Sequence, residues 1–147
     1  MGLSWNEVSR RYVSDNPSFY MPDSWRTRPD NVKQGSSETE TVETLLSLEG
    51  KPYWRIDAAV QDHYKNCLEL YEEMLLSGVA PEQARLVLPV AHNTEWIWSG
   101  SVAAFARVYN LRIDPHAQKE TRDVAALIGA QIPQEMQHTW AALTNKG

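Results

Sequence analysis

Between Ile56 and Ser77 the apolar residues Val60, Tyr64, Leu68, Tyr71 and Leu75 recur every three or four positions. That period gathers them into one stripe along a helix, with Glu69, Glu72 and Glu73 away from it. This is the strongest periodic signal in the chain. Gly78 follows where a left-handed C-cap belongs. Cys67 lies near the stripe and reads as a buried structural thiol rather than a nucleophile. Pro81 restarts a short helix in its first turn, with Glu82 beside the positive dipole end. Pro89 ends it by forcing Leu88 out of helical space.

The segment from His92 to Trp98 reads as a strand. Thr94, Trp96 and Trp98 share one face and Glu95, Ile97 and Ser99 the other, and aromatics at that spacing are expected in the core. Gly100 and Ser101 turn the chain into a helix over Val102 to Tyr109, whose Ala103, Ala104 and Ala106 leave one flank low. A break at Leu111 to Asp114 precedes another helix opening at Pro115, with Asp114 as N-cap and Gly129 near its end. A last helix from Pro133 turns Met136, Trp140 and Leu143 inward. Upstream, Ser4 to Val13 reads as a strand or strand edge. Pro17 and Pro22 mark turns around Phe19 and Tyr20, and residues 30–43 are polar enough for a mobile loop. The expectation is a single α+β domain over residues 1–147, with a mixed sheet flanked by helices.

Composition narrows the partners. A formal charge of −5 argues against binding a nucleic acid polymer, which needs an excess of Lys and Arg over phosphate. Any nucleotide ligand should be small and held in a pocket. One cysteine rules out an internal disulfide, and no Cys/His spacing resembles a metal site. No apolar run is long enough to span a bilayer, and the first residues lack a signal-peptide pattern. The reading is a soluble cytoplasmic protein with no membrane partner.

Arg85, Arg107 and Arg112 fall at or near element ends beside small residues. Guanidinium forks match phosphate and conjugated oxygens. Arg10 and Arg11 are adjacent, so in a strand they point to opposite faces and only one is expected to enter a site; with Ser9 beside them they could hold a phosphate, although on spacing alone a pair of surface arginines is the favoured reading. No Ser/His/Asp triad, Walker loop or GxGxxG turn is present. Spacing alone supports an α/β domain with an anion pocket and nothing finer.

GVAPEQARLVLP, TEWIWSGS and LRIDPHAQKE, in this order and with these gaps, resemble the C-terminal half of the flavin-dependent thymidylate synthases. SWNEVSRRYV resembles the segment after that family's Arg-His-Arg signature. The resemblance runs from Ser4 to about Ala126. It implies conversion of dUMP to dTMP, with 5,10-methylenetetrahydrofolate as carbon donor and NADPH reducing a bound FAD, in a homotetramer whose sites are shared between subunits.

By position, the resemblance puts Glu7, Val8, Ser9, Arg10 and Arg11 around the dUMP, with Ser9 and Arg11 toward its phosphate. It matches Arg85 to an arginine that contacts the nucleotide. Arg112 matches the arginine credited with ionising the uracil ring, the one catalytic assignment. A guanidinium about 4 Å from a developing anion is worth roughly 4 kcal/mol at an effective dielectric near 20, enough to bring a weakly acidic ring nitrogen toward neutral pH. Glu7, Ser101, Val102, Ala103 and Arg107 take the flavin positions, although family members carry Asn and Arg there, so contacts at Ser101 to Arg107 differ in kind. His116 and Gln118 match a His-Ala-Gln motif expected to hold the Arg112 turn.

Met1 falls where the Arg-His-Arg signature should end. The expectation is therefore an N-terminally truncated member that needs the missing part, arising from a late start, a split gene with a separate N-terminal chain, or a decayed remnant. The alternative function is a noncatalytic nucleotide-binding or oligomer-forming module of the same fold. Strands missing beside Ser4 to Val13 would leave a sheet edge open to association.

Overall fold

The computed structural model describes residues 2–8, 16–30 and 35–144. In chain order the elements are β1 (Ser4–Glu7), β2 (Thr44–Leu46), β3 (Pro52–Arg55), α1 (Ile56–Leu76), α2 (Pro81–Ala84), β4 (Trp96–Ser99), α3 (Val102–Arg112), α4 (Lys119–Ala130) and α5 (Gln137–Thr144). Short 3₁₀ turns follow α2 (Arg85–Val87) and precede α5 (Gln134–Met136). The fold is α+β. Its sheets among the described residues are two two-stranded ladders, β1 with β4 and β2 with β3. The chain divides into two compact units: Met1–Asn6, Arg26–Glu40 and Ile97–Gly147 form one, Glu7–Trp25 and Thr41–Trp96 the other.

In the second unit α1 is the long element, and Tyr71 is its buried residue. Its N-cap Arg55 makes no side-chain cap. Asp57 instead accepts from the Ala58 amide at 2.9 Å and is chelated by the Arg55 guanidinium. The C-terminus closes as the sequence predicts: Gly78 has φ +82, and the Val79 amide reaches back to the Met74 carbonyl at 2.9 Å. That left-handed residue is inexpensive only for glycine. Tyr64 stacks on Phe19 with ring centroids 4.8 Å apart and donates to the Tyr20 carbonyl at 3.0 Å. Cys67 is half-buried with its Sγ 3.6 Å from His63 Nε2, so it is less enclosed than a core thiol would be.

The β2–β3 hairpin is antiparallel, pairing Thr44 with Arg55 and Leu45 with Trp54, then slipping so that Leu46 meets Pro52. Gly50 at φ +80 makes its turn. Within the polar stretch 30–43, Ser37 accepts from the Thr39 and Glu40 amides, and the Thr27 amide donates to the Glu40 carbonyl at 3.0 Å.

In the first unit α3 packs against both α4 and α5. Alanines make the approach close: Ala106 and Ala125 are buried, and Trp140 fills the remaining space edge-on to Tyr109 at 5.3 Å. Asn110 ties the pair by donating to the Leu143 carbonyl at 2.9 Å. Of the residues expected inward on the last helix, Trp140 is buried, whereas Met136 and Leu143 remain 44% and 41% exposed.

Three boundaries differ from the sequence reading. α3 runs three residues past Tyr109, because the stretch before Asp114 contains no Gly or Pro to stop it. α4 opens at Lys119 instead of Pro115; Asp114 caps a turn, accepting from the His116 amide at 2.8 Å while its carbonyl takes the Ala117 amide. β4 is shorter than His92 to Trp98. It has one partner strand among the described residues, and Trp96 and Ile97 are 50% and 71% exposed, while Trp98 meets Phe105 edge-on at 6.3 Å.

Candidate functional site

Of the described ligand-facing positions predicted from sequence, all but Arg107 fall at or beside an element end; Arg107, expected near one, lies in the middle of α3 because that helix runs on to Arg112. Ser101 is the N-cap of α3, accepting from the Ala104 amide at 3.2 Å. The turn before it is tight: a Cβ on Gly100 would lie 2.4 Å from the Leu3 side chain. Val102 and Ala103 occupy the first turn of α3, where amide protons have no intrahelical acceptor. Ala103 and Arg107, four residues apart, share an exposed helix face with Leu111. Arg112 is the last residue of α3 and exposed, a position favourable for a cation at the negative end of the helix.

In the other unit, Arg85 is exposed where α2 passes into its 3₁₀ turn. Glu7 ends β1 and accepts from the Thr94 hydroxyl at 2.6 Å, and the Val8 amide donates to the Glu95 carbonyl at 2.8 Å. Ser9, Arg10 and Arg11 lie outside the described residues.

The described arginines fall into two groups. Arg26, Arg55 and Arg122 are engaged with carboxylates. Arg85, Arg107 and Arg112, with Arg28, carry no ion pair or side-chain hydrogen bond among the described residues. Among the described residues, nothing occupies the guanidinium forks of the three predicted from sequence.

His116 follows Arg112 in a turn stabilised by Asp114, whose Oδ1 lies 2.8 Å from His116 Nδ1. Arg122 Nη1 donates to the Pro115 carbonyl at 3.0 Å. Gln118 stands at the N-cap of α4 without a side-chain cap bond. Asp114, Arg122 and the His116 ring thus brace the turn after Arg112; the sequence reading gave that role to His116 and Gln118, and Gln118 makes no side-chain cap bond there.

The same turn borders a cleft of about 570 Å³ within the first unit, lined by Arg26, Ser36, Glu38, His116, Lys119 and Arg122 among others. Its walls are locked by ion pairs. Arg26 grips Glu120 with both carboxylate oxygens at 2.6 and 2.8 Å and donates to Ser36 Oγ at 2.8 Å, while Arg122 meets Glu38 at 2.5 Å. Hydrogen bonding from Arg26 holds the Glu120 carboxyl below its ordinary range, and Asp123 raises the Lys119 ammonium above its own. Sequence reasoning missed this cleft, since nothing local links Arg26 to a partner 94 positions away.

Among the described residues, no group of three or more His, Cys, Asp or Glu side chains is arranged to hold a metal ion. No helix among them is long and apolar enough to cross a membrane.

Comparison with known proteins decides the lineage. The family described as "Thymidylate synthase complementing protein" matches residues 1–136. The chain belongs to this family. Similar members include the flavin-dependent thymidylate synthase of Thermosipho africanus, 32% identical over 95% of this chain and 58% of that protein. The enzyme of the same name from Dictyostelium discoideum is 34% identical over 86% of this chain and 40% of its own length. Among solved structures, the UMP/dUMP methylase PolB from Streptomyces cacaoi bound with 5-Br dUMP superposes with a TM-score of 0.62 at 27% identity, covering 96% of this chain and 57% of that one. The chain spans between about two fifths and three fifths of the length of these family relatives.

Proposed function

We propose that this chain is the nucleotide-binding, C-terminal part of a flavin-dependent thymidylate synthase. Working with the portion of its relatives that it does not span, it would convert dUMP to dTMP by reductive methylation. 5,10-Methylenetetrahydrofolate is the carbon donor and NADPH the reductant through FAD, in a homotetramer. The observation carrying this reading is that Arg85, Arg107 and Arg112, matched to ligand-contacting positions, have no carboxylate partner among the described residues while Arg26, Arg55 and Arg122 are engaged.

Each residue has a distinct task. Arg112 stabilises negative charge on the pyrimidine as it ionises, and Arg85 with Ser9 and Arg11 holds the phosphate. Glu7 accepts from a nucleotide or flavin donor, and Val8 and Arg10 belong to the same nucleotide-binding segment. No cysteine nucleophile is required; Cys67 sits beside His63 on α1, in the second unit.

The front of α3 suits a flavin. Its first-turn amides at Val102 and Ala103 offer donors to phosphate oxygens, Ala103 leaves the surface low, and Arg107 four residues on supplies a cation without an ion-pair partner among the described residues. Ser101 is engaged in capping, so its flavin contact would run through the backbone. FAD, when bound, supplies the redox chemistry. The chain's own groups bind, orient and neutralise charge.

The test is dUMP-dependent oxidation of reduced FAD by the chain, alone and reconstituted with the complementary part of a relative. Turnover in the reconstituted assembly is expected. Its absence in both removes the enzymatic reading, and dUMP binding without flavin retention would favour a noncatalytic nucleotide-binding module.

A further inference from the structure

The segment Ala91–Glu95 is a clip within the second unit. On one side it holds the end of β1, through the Val8 amide and the Glu95 carbonyl at 2.8 Å. On the other it holds Ser18–Tyr20: the Asn93 amide donates to the Ser18 carbonyl, the Tyr20 amide to the Ala91 carbonyl, and Asn93 Nδ2 to Ser18 Oγ at 3.0 Å. Phe19 and His92 are bridged between them. Thr94 sits in the middle of this clip with the backbone on either side pinned. As a β-branched residue it has few χ1 choices, so its hydroxyl is fixed in space by main-chain pairing.

That hydroxyl donates to Glu7 Oε1 at 2.6 Å, the length of a charge-assisted O–H···O⁻ bond. Glu7 has no other side-chain partner among the described residues. A free glutamate has three side-chain torsions, and a carboxylate offers about four acceptor sites. One bond from Thr94 therefore selects the rotamer while leaving Oε2 and further lone pairs for a donor outside the protein.

We infer that Thr94 is a positioning residue: it holds the Glu7 carboxylate ready for a hydroxyl or ring N–H of the bound nucleotide. The inference rests on the reading above that Glu7 belongs to the nucleotide site. It adds a residue with no ligand contact of its own, acting through a second side chain.

The experiment is calorimetric titration of dUMP into the chain, alone and reconstituted with the complementary part of a relative. Thr94→Val, which keeps the branched shape and removes the donor, should weaken binding about fivefold, the net effect of one typical hydrogen bond. Thr94→Ala should match it, and Thr94→Ser should restore affinity to within about twofold, because the hydroxyl returns. In a Glu7→Ala background, Thr94→Val should cost nothing further, since a residue acting only through Glu7 has nothing left to act on. Undiminished binding by Thr94→Val, or a loss that persists without Glu7, overturns the inference while leaving the nucleotide-site reading intact. No dUMP binding by the unsubstituted protein in either form overturns both.

Discussion

Arg112 and Arg26 show how the same side chain serves two ends. Arg112 ends α3 with its guanidinium exposed and without a carboxylate partner among the described residues, so its charge costs the fold nothing to lend. Arg112→Lys should keep the charge, lose the planar fork and weaken dUMP binding about tenfold. Stability should change by about 0.5 kcal/mol or less, as for an exposed residue outside any network; titration calorimetry and thermal melting separate the two effects. Arg26, whose side chain is only 16% exposed, instead bridges Glu120 and Ser36. Glu120→Gln should destabilise by about 0.5 kcal/mol, a figure discounted for solvent because the Glu120 side chain is 37% exposed. Because Arg26 depresses the Glu120 carboxyl when folded, the pair's contribution is complete above about pH 4.5, the ordinary glutamate value, and disappears as pH falls through the lower folded value. Melting temperatures of wild type and Glu120→Gln should therefore converge in acid and stay apart at neutral pH.

At the scale of elements, the junction of α3, α4 and α5 is held by small residues and two rings. Gly129 in α4 lies under Tyr109: an added Cβ would stand 2.9 Å from one ring carbon, 3.3 Å from a second and 3.7 Å from Trp140. Alanine would gain about 1 kcal/mol of helix propensity, but overpacking a rigid ring costs about 1–3 kcal/mol. The Tyr109 ring is also fixed by its edge-on contact with Trp140. Gly129→Ala should thus lower stability by about 1 kcal/mol, measured by denaturant melts; an increase would show that Tyr109 has room to move. Elsewhere, α1 and α2 were legible because the apolar stripe of α1, Gly78 after it and Pro81 are local signals. The β2–β3 hairpin escaped although Glu49-Gly50 between Leu45-Leu46 and Tyr53-Trp54 is a turn flanked by strand formers. Its shifted register and the polar run before it obscure the alternation. The start of α4 was misplaced for a similar reason: Asp114-Pro115 serves a turn as well as a helix, and only the folded chain shows the Asp114 carboxylate bonded to the His116 amide.

For the whole molecule, the candidate site was legible as a list of residues but not as a geometry. Arg85 and Arg112 could be named from the segments that carry them, whereas the Arg26–Glu120 and Arg122–Glu38 pairs join residues too distant in sequence for any spacing rule. Surface chemistry is where the proposed tetramer becomes testable. In the second unit Leu46, Leu48 and Tyr53 are 62%, 109% and 63% exposed, and Trp54 is 44% exposed on the same hairpin. These exposed apolar side chains, on both faces of a two-stranded ladder and at its turn, leave uncovered apolar surface beside a pairing edge. A chain that kept this surface in water would forgo about 1.5–3 kcal/mol for each large side chain left unburied, so a protein partner is the physical expectation. The chain should sediment as a species heavier than its 16.7 kDa monomer. Leu46→Lys combined with Tyr53→Lys should shift it toward monomer, because an ammonium buried at such a contact without a partner costs more than the apolar contact returns. Loss of association with an unchanged far-ultraviolet spectrum would place this hairpin in the assembly. A wild-type chain that remains monomeric at high micromolar concentration, even when reconstituted with the complementary part of a relative, would remove the tetramer and leave the exposed hairpin without an explanation.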